Sequence, residues 1–291
     1  MKPTRGEQVF QVFNSTFLIL LSITFILPMI SVLSTSFVSE QEFLRRGGSF
    51  ILFPESIDFA AYKLLLDRGS VILDAYKVTV FRVVIGTLLN VAFTATLAYG
   101  LSKKSLPGRN MFITFVFITM ILSGGLIPTY MLIDGLGLKD SVWVLIIPSL
   151  ISVWNFLIMK SFFSTIPAEI EESAVIDGAT PLQILIKIIF PLSLPTFATI
   201  GLFYAVYHWN EWFMASIYIN DVHKLPIQVI MRNILLAGTI QDMAVETTDQ
   251  LPPAQTLKSA VIIVSTLPIL FIYPFVQKYF VKGVMVGSVK E

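Results

Sequence analysis

The chain has 291 residues, 55% hydrophobic and 13% charged, with 20 Lys and Arg against 19 Asp and Glu for a net charge of +1. A mean hydropathy of +0.79 is too high for a soluble domain of this length, and near-neutrality gives no sign of a nucleic-acid partner. The lack of Cys excludes disulfides, thiolate metal sites and Cys nucleophiles, and His208 and His223 alone cannot form an HExxH or other His-rich metal site.

In chain order, six apolar runs are long enough to cross about 30 Å of hydrocarbon as helices. They cover approximately residues 13–36, 77–100, 111–133, 142–163, 194–217 and 257–280. The expectation is an all-α, multi-pass protein of the cell membrane with six transmembrane helices. The first run is too long for a signal-peptide core, carries Pro28 and is followed by no A-x-A-like site, so it reads as a retained helix. Residues 37–76 follow, with Arg45-Arg46-Gly47-Gly48 as a turn and Asp58 to Leu66 as a short surface helix.

Polar residues inside apolar runs are expensive in lipid and face a bundle interior or a cavity. The second run holds Asn90 and Thr94, and the fourth holds Ser152, Trp154 and Asn155. In the third, Ser123-Gly124-Gly125 and Pro128 interrupt the helix.

Between the fourth and fifth runs lies an acidic, glycine-broken stretch, Glu172-Ser173-Ala174-Val175-Ile176-Asp177-Gly178-Ala179. Pro167 sets the start of a short helix, and Glu169, Glu171 and Glu172 suit the positive end of its dipole. Gly178 ends that helix as a C′ glycine. Thr180 and Pro181 read as N-cap and N1 of a second helix, with Gln183 closing a capping box. The product is a rigid helix–turn–helix elbow suited to being gripped by another protein.

The fifth run is the richest in polar groups: Tyr204, Tyr207, His208, Trp209, Asn210, Glu211 and Trp212. On a continuous helix Tyr204, His208 and Glu211 share one face. Aromatic rings against sugar faces, with amide, carboxylate and hydroxyl partners for sugar OH groups, are the chemistry of carbohydrate binding, and this face supplies both kinds. The structural alternatives are an interfacial belt for Trp209 and Trp212 and an ion pair between Glu211 and Arg82. Residues 218–256 then form a long connection with Pro226, Gly238, Pro252 and Pro253, and the chain ends in the glycine-punctuated Lys282–Glu291.

Lys2, Arg5, Lys103, Lys104, Arg109, Lys278, Lys282 and Lys290 fall on one side of the expected topology, and the opposite loops lean acidic. The positive-inside rule puts both termini and the Glu172 elbow in the cytoplasm. There is no P-loop, no G-x-S-x-G, no GxGxxG after a strand, and Asp134-Gly135-Leu136-Gly137 lacks the alternating ligands of a calcium loop. No catalytic residue and no ATP-binding loop are expected on this chain.

The elbow resembles the EAA loop of ABC-importer permeases: Glu-Ala-Ala, three residues, Gly, nine residues, then Ile-x-Leu-Pro. Glu172, Ala174, Gly178, Ile188 and Pro191 stand at those spacings, while Ser173 replaces an Ala and Phe190 the Leu. Asp134–Leu138, Tyr207–Phe213 and Leu225-Pro226-Ile227-Gln228 resemble the maltose-type carbohydrate permeases, in the branch taking up oligosaccharides and complex polysaccharides. The terminal Gly287-Ser288-Val289-Lys290 is similar to a permease tail that enters the ATPase dimer, with Glu291 replacing its last Gly.

What this resemblance implies is a type I ABC importer permease fold, in which residues 1–76 form the N-terminal helix and an external segment. Residues 77–280 form the permease core, with its coupling loop at about 167–191, and 281–291 form a cytoplasmic tail. Glu172, Ala174, Asp177, Gly178, Ala179 and Pro191 would couple to the ATPase. Tyr204, Tyr207, His208, Asn210, Glu211, Trp212 and Asn155 would line the substrate pathway. The implied partners are a second, homologous permease subunit in a heterodimer, two cytoplasmic P-loop ATPases, an external solute-binding protein and the carbohydrate itself. ATP and Mg would sit on the ATPase, and no cofactor or metal on this chain. A permease for a non-sugar solute is the alternative, followed by a secondary carrier using His208 and Glu211 as a proton relay.

Overall fold

The computed structural model describes residues 4–48, 51–67, 70–237 and 254–288. Among them every regular element is helical. In chain order these are α1 (Arg5–Thr35), α2 (Glu40–Arg45), α3 (Ala60–Leu65), α4 (Val71–Ser102), α5 (Arg109–Ile121), α6 (Leu126–Gly135) and α7 (Val153–Phe163). There follow α8 (Ala168–Ile176), α9 (Pro181–Ile184), α10 (Phe190–Leu192), α11 (Leu194–Asn210), α12 (Phe213–Tyr218), α13 (Ile227–Ala237) and α14 (Ala254–Ser288).

Three apolar helices are long enough to cross a membrane unbroken: Gly6–Thr35, Val71–Ser102 and Ala254–Phe271. Three further apolar stretches are bent pairs. α5 and α6 meet at 113°, the 3₁₀ turns of Val142–Ser149 meet α7 at 48°, and Pro181–Leu192 meets α11 at 91°. The fourth expected span is thus corrected from a straight helix to a broken one, and the fifth, 194–217, is corrected at its far end, where α11 stops at Asn210 and α12 begins at Phe213. A hydropathy average runs smoothly across such breaks, because an extended apolar residue counts the same as a helical one. The interruption read at Ser123–Gly125 is where the first bend falls, with Gly125 at φ +82°.

The chain divides into two compact units. The first comprises Met1–Leu73 and Met231–Pro268. Thr4 and Glu7 form a capping box at the start of α1, and Pro28 lies inside that helix. The segment after α1 is folded more than its sequence suggests. α2, which the turn reading of Arg45–Gly48 overlooked, is capped by Ser39. The buried Glu42 carboxylate accepts Glu55 N–H at 2.8 Å and Ser56 N–H at 3.4 Å. Ser36 Oγ and Tyr62 Oη lie 2.7 Å apart, and the Tyr62 ring stacks on Phe37 at 5.0 Å. In the same unit Thr256 Oγ1 donates to the Val38 carbonyl at 3.2 Å.

The second unit comprises Asp74–Ile230 and Ile269–Glu291. Its core gathers Ala95, Ala98 and Tyr99 of α4, Phe156, Met159 and Phe163 of α7, Ala174 of α8, Ile184, Leu185 and Ile189, and Ile200 and Tyr204 of α11. Between α9 and α10, Leu185–Ile189 form a π-helical turn, with Phe190 N–H bonded to the Leu185 carbonyl. A π turn holds one residue more than an α turn. Nothing in the apolar run Ile184–Leu192 marked it. Pro191 and Pro195 flank the 91° bend that follows, where missing N–H donors let the chain leave the ladder. α14 continues to Ser288, through Gly283 and Gly287, where the sequence reading had an irregular tail.

Candidate functional site

Two places in the second unit carry the residues singled out by sequence. The first is the elbow. Pro167, at φ −56° and ψ 135°, precedes α8, and Glu169 and Glu171 occupy its first turn. The helix closes in a Schellman arrangement: Gly178 N–H reaches the Val175 carbonyl at 3.0 Å and Ala179 N–H the Ala174 carbonyl at 2.9 Å. Gly178 has φ +80°, a conformation that costs other L-residues about 1–2 kcal/mol. Thr180 then caps α9 through a full capping box with Gln183.

The elbow is held from one side and open on the other. Ala174 is the buried residue of α8 and joins the core. Glu171 Oε2 accepts from the Tyr99 hydroxyl at 3.0 Å and pairs with Lys103, which fixes α8 to the end of α4. Facing away are Glu172, Val175, Ile176 and Asp177, with Ile176 85% exposed. Val175 and Ile176 thus set an exposed apolar pair between the carboxylates of Glu172 and Asp177. Ala179 is half-buried behind the turn, and Pro191 is exposed on α10. The tether by Tyr99 and Lys103 was not read from the sequence, since nothing local links them to a residue 72 and 68 positions on.

The second place is the end of α11. The helix stops at Asn210, and Glu211 adopts an extended φ of −70° and ψ of 121°. This corrects the shared-face reading: Tyr204 and His208 face the interior as a helical spacing demands, whereas Glu211 is placed by a break. Arg82, fully buried on α4, meets it there. Arg82 Nη2 donates to Glu211 Oε2 at 2.8 Å, the ion pair raised from sequence as the structural alternative. Removing one partner of such a buried pair costs about 3–5 kcal/mol, because the other charge is left without compensation.

His208 is also fully buried. Its Nδ1 lies 3.5 Å from Arg82 Nε and its Nε2 3.0 Å from Asn90 Oδ1. Because a guanidinium only donates, Nδ1 is the acceptor and Nε2–H the donor. Asn90 Nδ2 in turn donates to the Ser149 carbonyl. Gly86 makes room for the imidazole: a Cβ there would stand 2.5 Å from Nε2. One turn back on α11, Tyr204 Oη bonds Thr94 Oγ1 at 2.7 Å and accepts Ser152 N–H at 2.8 Å.

Tyr207 is 42% exposed and, with Glu211, lines a recess of about 110 Å³ that also includes Ser149, Met214 and Tyr218. Asn210 is exposed and donates to the Val206 carbonyl at 2.8 Å. Trp212 meets Phe213 edge to face at 5.7 Å, and Asn155 is buried in the first turn of α7, capped by Ser152. Of the seven pathway residues chosen by sequence, Tyr207 and Glu211 thus share a recess. Tyr204 and His208 lie in packed interior, and Asn155, Asn210 and Trp212 are elsewhere. Among the described residues no three His, Asp or Glu side chains gather as metal ligands.

Over residues 108–286 the chain matches the family described as binding-protein-dependent transport system inner membrane component. It is 43% identical to the polygalacturonan/rhamnogalacturonan transport system permease protein YtcP of Bacillus subtilis, over 98% of this chain and 99% of that one. It is 41% identical to Protein LplC of the same organism, over 100% of this chain and 98% of that one. Among solved structures, a bacterial ABC transporter involved in the import of the acidic polysaccharide alginate superposes with a TM-score of 0.85. That match has 30% identity and covers 96% of this chain and 99% of the other.

Proposed function

The chain belongs to the family of binding-protein-dependent transport system inner membrane components, and on that premise we propose that it is one half of the translocation pathway of an oligosaccharide importer driven by ATP on a separate subunit. The observation that carries the reading is the elbow. A short helix capped at both ends, tethered to α4 by Glu171 and offering Glu172, Val175, Ile176 and Asp177 outward, is a rigid lever for an ATPase surface. Sugar as the cargo is supported by the relatives, which include a transporter of polygalacturonan and rhamnogalacturonan and one for alginate.

In this reading the partners are a second permease subunit, two cytoplasmic ATPases and an external solute-binding protein, with ATP and Mg bound by the ATPases alone. Both termini and the elbow lie in the cytoplasm. Closure of the ATPases on ATP pushes the elbow, α9 and α10 carry the motion to α11, and the pathway exchanges inward for outward exposure. Glu172 and Asp177 contact the ATPase, Ala174 seats the helix, Gly178 and Ala179 hold the turn, and Pro191 ends the lever. Tyr207 and Glu211 lie on the sugar path, with Trp212 and Asn210 beside them; Tyr204, His208 and Asn155 shape it from behind.

The test is affinity purification of the tagged chain in mild detergent, followed by ATPase assays with the binding protein and a panel of digalacturonate, arabinobiose and maltose. Co-purification of a second polytopic subunit and a P-loop ATPase, with hydrolysis stimulated by one of the sugars, is the expected result. Transport by the chain alone would overturn the ATPase assignment. Stimulation by amino acids or phosphate and by none of the sugars would overturn the cargo.

A further inference from the structure

The break after α11 poses a hydrogen-bonding problem that one side chain solves. Once Glu211 leaves the helix, its carbonyl no longer has a ladder partner, and at membrane depth such a group needs one from the protein. Arg82 Nη1 donates to that carbonyl at 2.8 Å while Nη2 takes the carboxylate. The other carboxylate oxygen accepts Met214 N–H at 2.6 Å, in the first turn of α12. One guanidinium therefore fixes the end of one helix and, through Glu211, the start of the next.

The third donor of the fork leads elsewhere. Arg82 Nε orients His208, His208 orients Asn90, and Asn90 holds the Ser149 carbonyl, at the close of the 3₁₀ turns before α7. The two ends of this polar chain, Glu211 and Ser149, both line the 110 Å³ recess beside Tyr207. The recess also borders Tyr218, whose buried hydroxyl has no hydrogen-bond partner among the described residues. Neutralising Glu211 would need a single contact; the observed fork reaches a carbonyl and an imidazole as well.

We propose that Arg82 is a positioning residue for substrate: it sets the two helix breaks that wall this recess, and the recess takes a hydroxyl-bearing edge of the transported sugar. Tyr218 Oη and the Glu211 carboxylate are the groups that meet it. The identity of the ligand rests on the oligosaccharide-importer reading; the fixing of the breaks does not.

Because the chain contains no cysteine, Ser149→Cys gives a single reporter on the recess wall. Its rate of reaction with a small hydrophilic maleimide is read on the assembled transporter without sugar, and the half-saturation for uptake of radiolabelled digalacturonate is read alongside. Arg82→Lys keeps the charge but loses the fork. It is expected to speed labelling at least fivefold and to raise half-saturation by more than the maximal rate falls. Arg82→Met combined with Glu211→Leu removes both charges, so it relieves the buried-charge penalty while leaving the breaks unheld. That double variant is expected to assemble and still to label fast. Labelling within twofold of the parent in Arg82→Lys, or in an assembled double variant, overturns the proposal. Fast labelling with unchanged half-saturation overturns the sugar-subsite half of it. If the parent takes up no digalacturonate, the cargo reading fails on its own, and the labelling still decides what Arg82 holds.

Discussion

The elbow and the break after α11 are both short interruptions between helices, yet they are built in opposite ways. The elbow closes on itself: its turn, its caps and its capping box join residues no more than five apart. The break is held by residues 118 to 129 positions away on α4. A part proposed to be gripped and pushed from outside takes its shape mainly from its own local bonds. A part that interrupts a helix inside a bilayer depends on partners in the bundle, because no water is there to satisfy it. The contrast predicts that damage to the elbow removes function and spares assembly, and that damage to the break costs stability, with assembly lost where a buried charge is left unpaired.

The largest effect should come from Gly178→Pro, which deletes the N–H bonded to Val175 and forces φ from +80° to about −65°. Sugar uptake should vanish while the amount of membrane-inserted chain, read by immunoblot, stays at the parental level; retained uptake would dissolve the lever assignment. On the other side of the comparison, Gly86→Ala drives a methyl into the His208 ring and should lower stability by about 1–3 kcal/mol. Thermal unfolding of the purified complex measures it, and an unshifted transition would mean that His208 moves freely. Tyr204→Phe leaves Ser152 N–H and Thr94 Oγ1 without their partner, worth about 1–3 kcal/mol by the same measurement.

Smaller changes sharpen the contrast. Glu171→Gln weakens a long-range tether of the elbow, a partly exposed pair worth about 1 kcal/mol or less. Uptake should fall a few-fold with no loss of assembled complex, and a loss of complex would place Glu171 with the break instead. Asp140 offers the mildest case. Its carboxylate accepts N–H groups of Asp221 and Asn220, and the Asp221 contact, which nothing in the local sequence pattern marks, holds the acid below its ordinary value of 3.8. A depressed pKa gives stability that is present above that ordinary value and is lost as pH falls through the folded one. The difference in melting between parent and Asp140→Asn should therefore exist at neutral pH and shrink to nothing in acid; a difference that grows on acidification would reverse the sign.

The same contrast explains what could be read beforehand. Pro167, Gly178, Thr180 and Gln183 announce the elbow because capping is a matter of residue types a few positions apart. Glu211 and Arg82 could be paired from sequence only because two opposite charges in apolar runs call for each other. The links from Arg82 to His208, from His208 to Asn90 and from Tyr204 to Thr94 depend on how two helices cross, and no spacing encodes that. The 48° bend escaped for a related reason. Ser123–Gly125 gave the 113° bend away by its glycines; the 48° bend sits in a stretch where hydropathy is uniform and only the hydrogen-bond ladder changes.

The π turn at Leu185–Ile189 gives the lever an adjustable splice. Each residue of an α-helix advances the chain by about 100° around its axis. A residue added to or lost from an ordinary helix would swing everything before it by that angle, but a π turn takes its extra residue within one circuit, so losing it here would restore an α turn with Thr180 and the acidic tip facing nearly as before. A length change is absorbed inside the turn and leaves the rod unfractured. On the proposed coupling, a single codon could be gained or lost here without turning the elbow away from its ATPase.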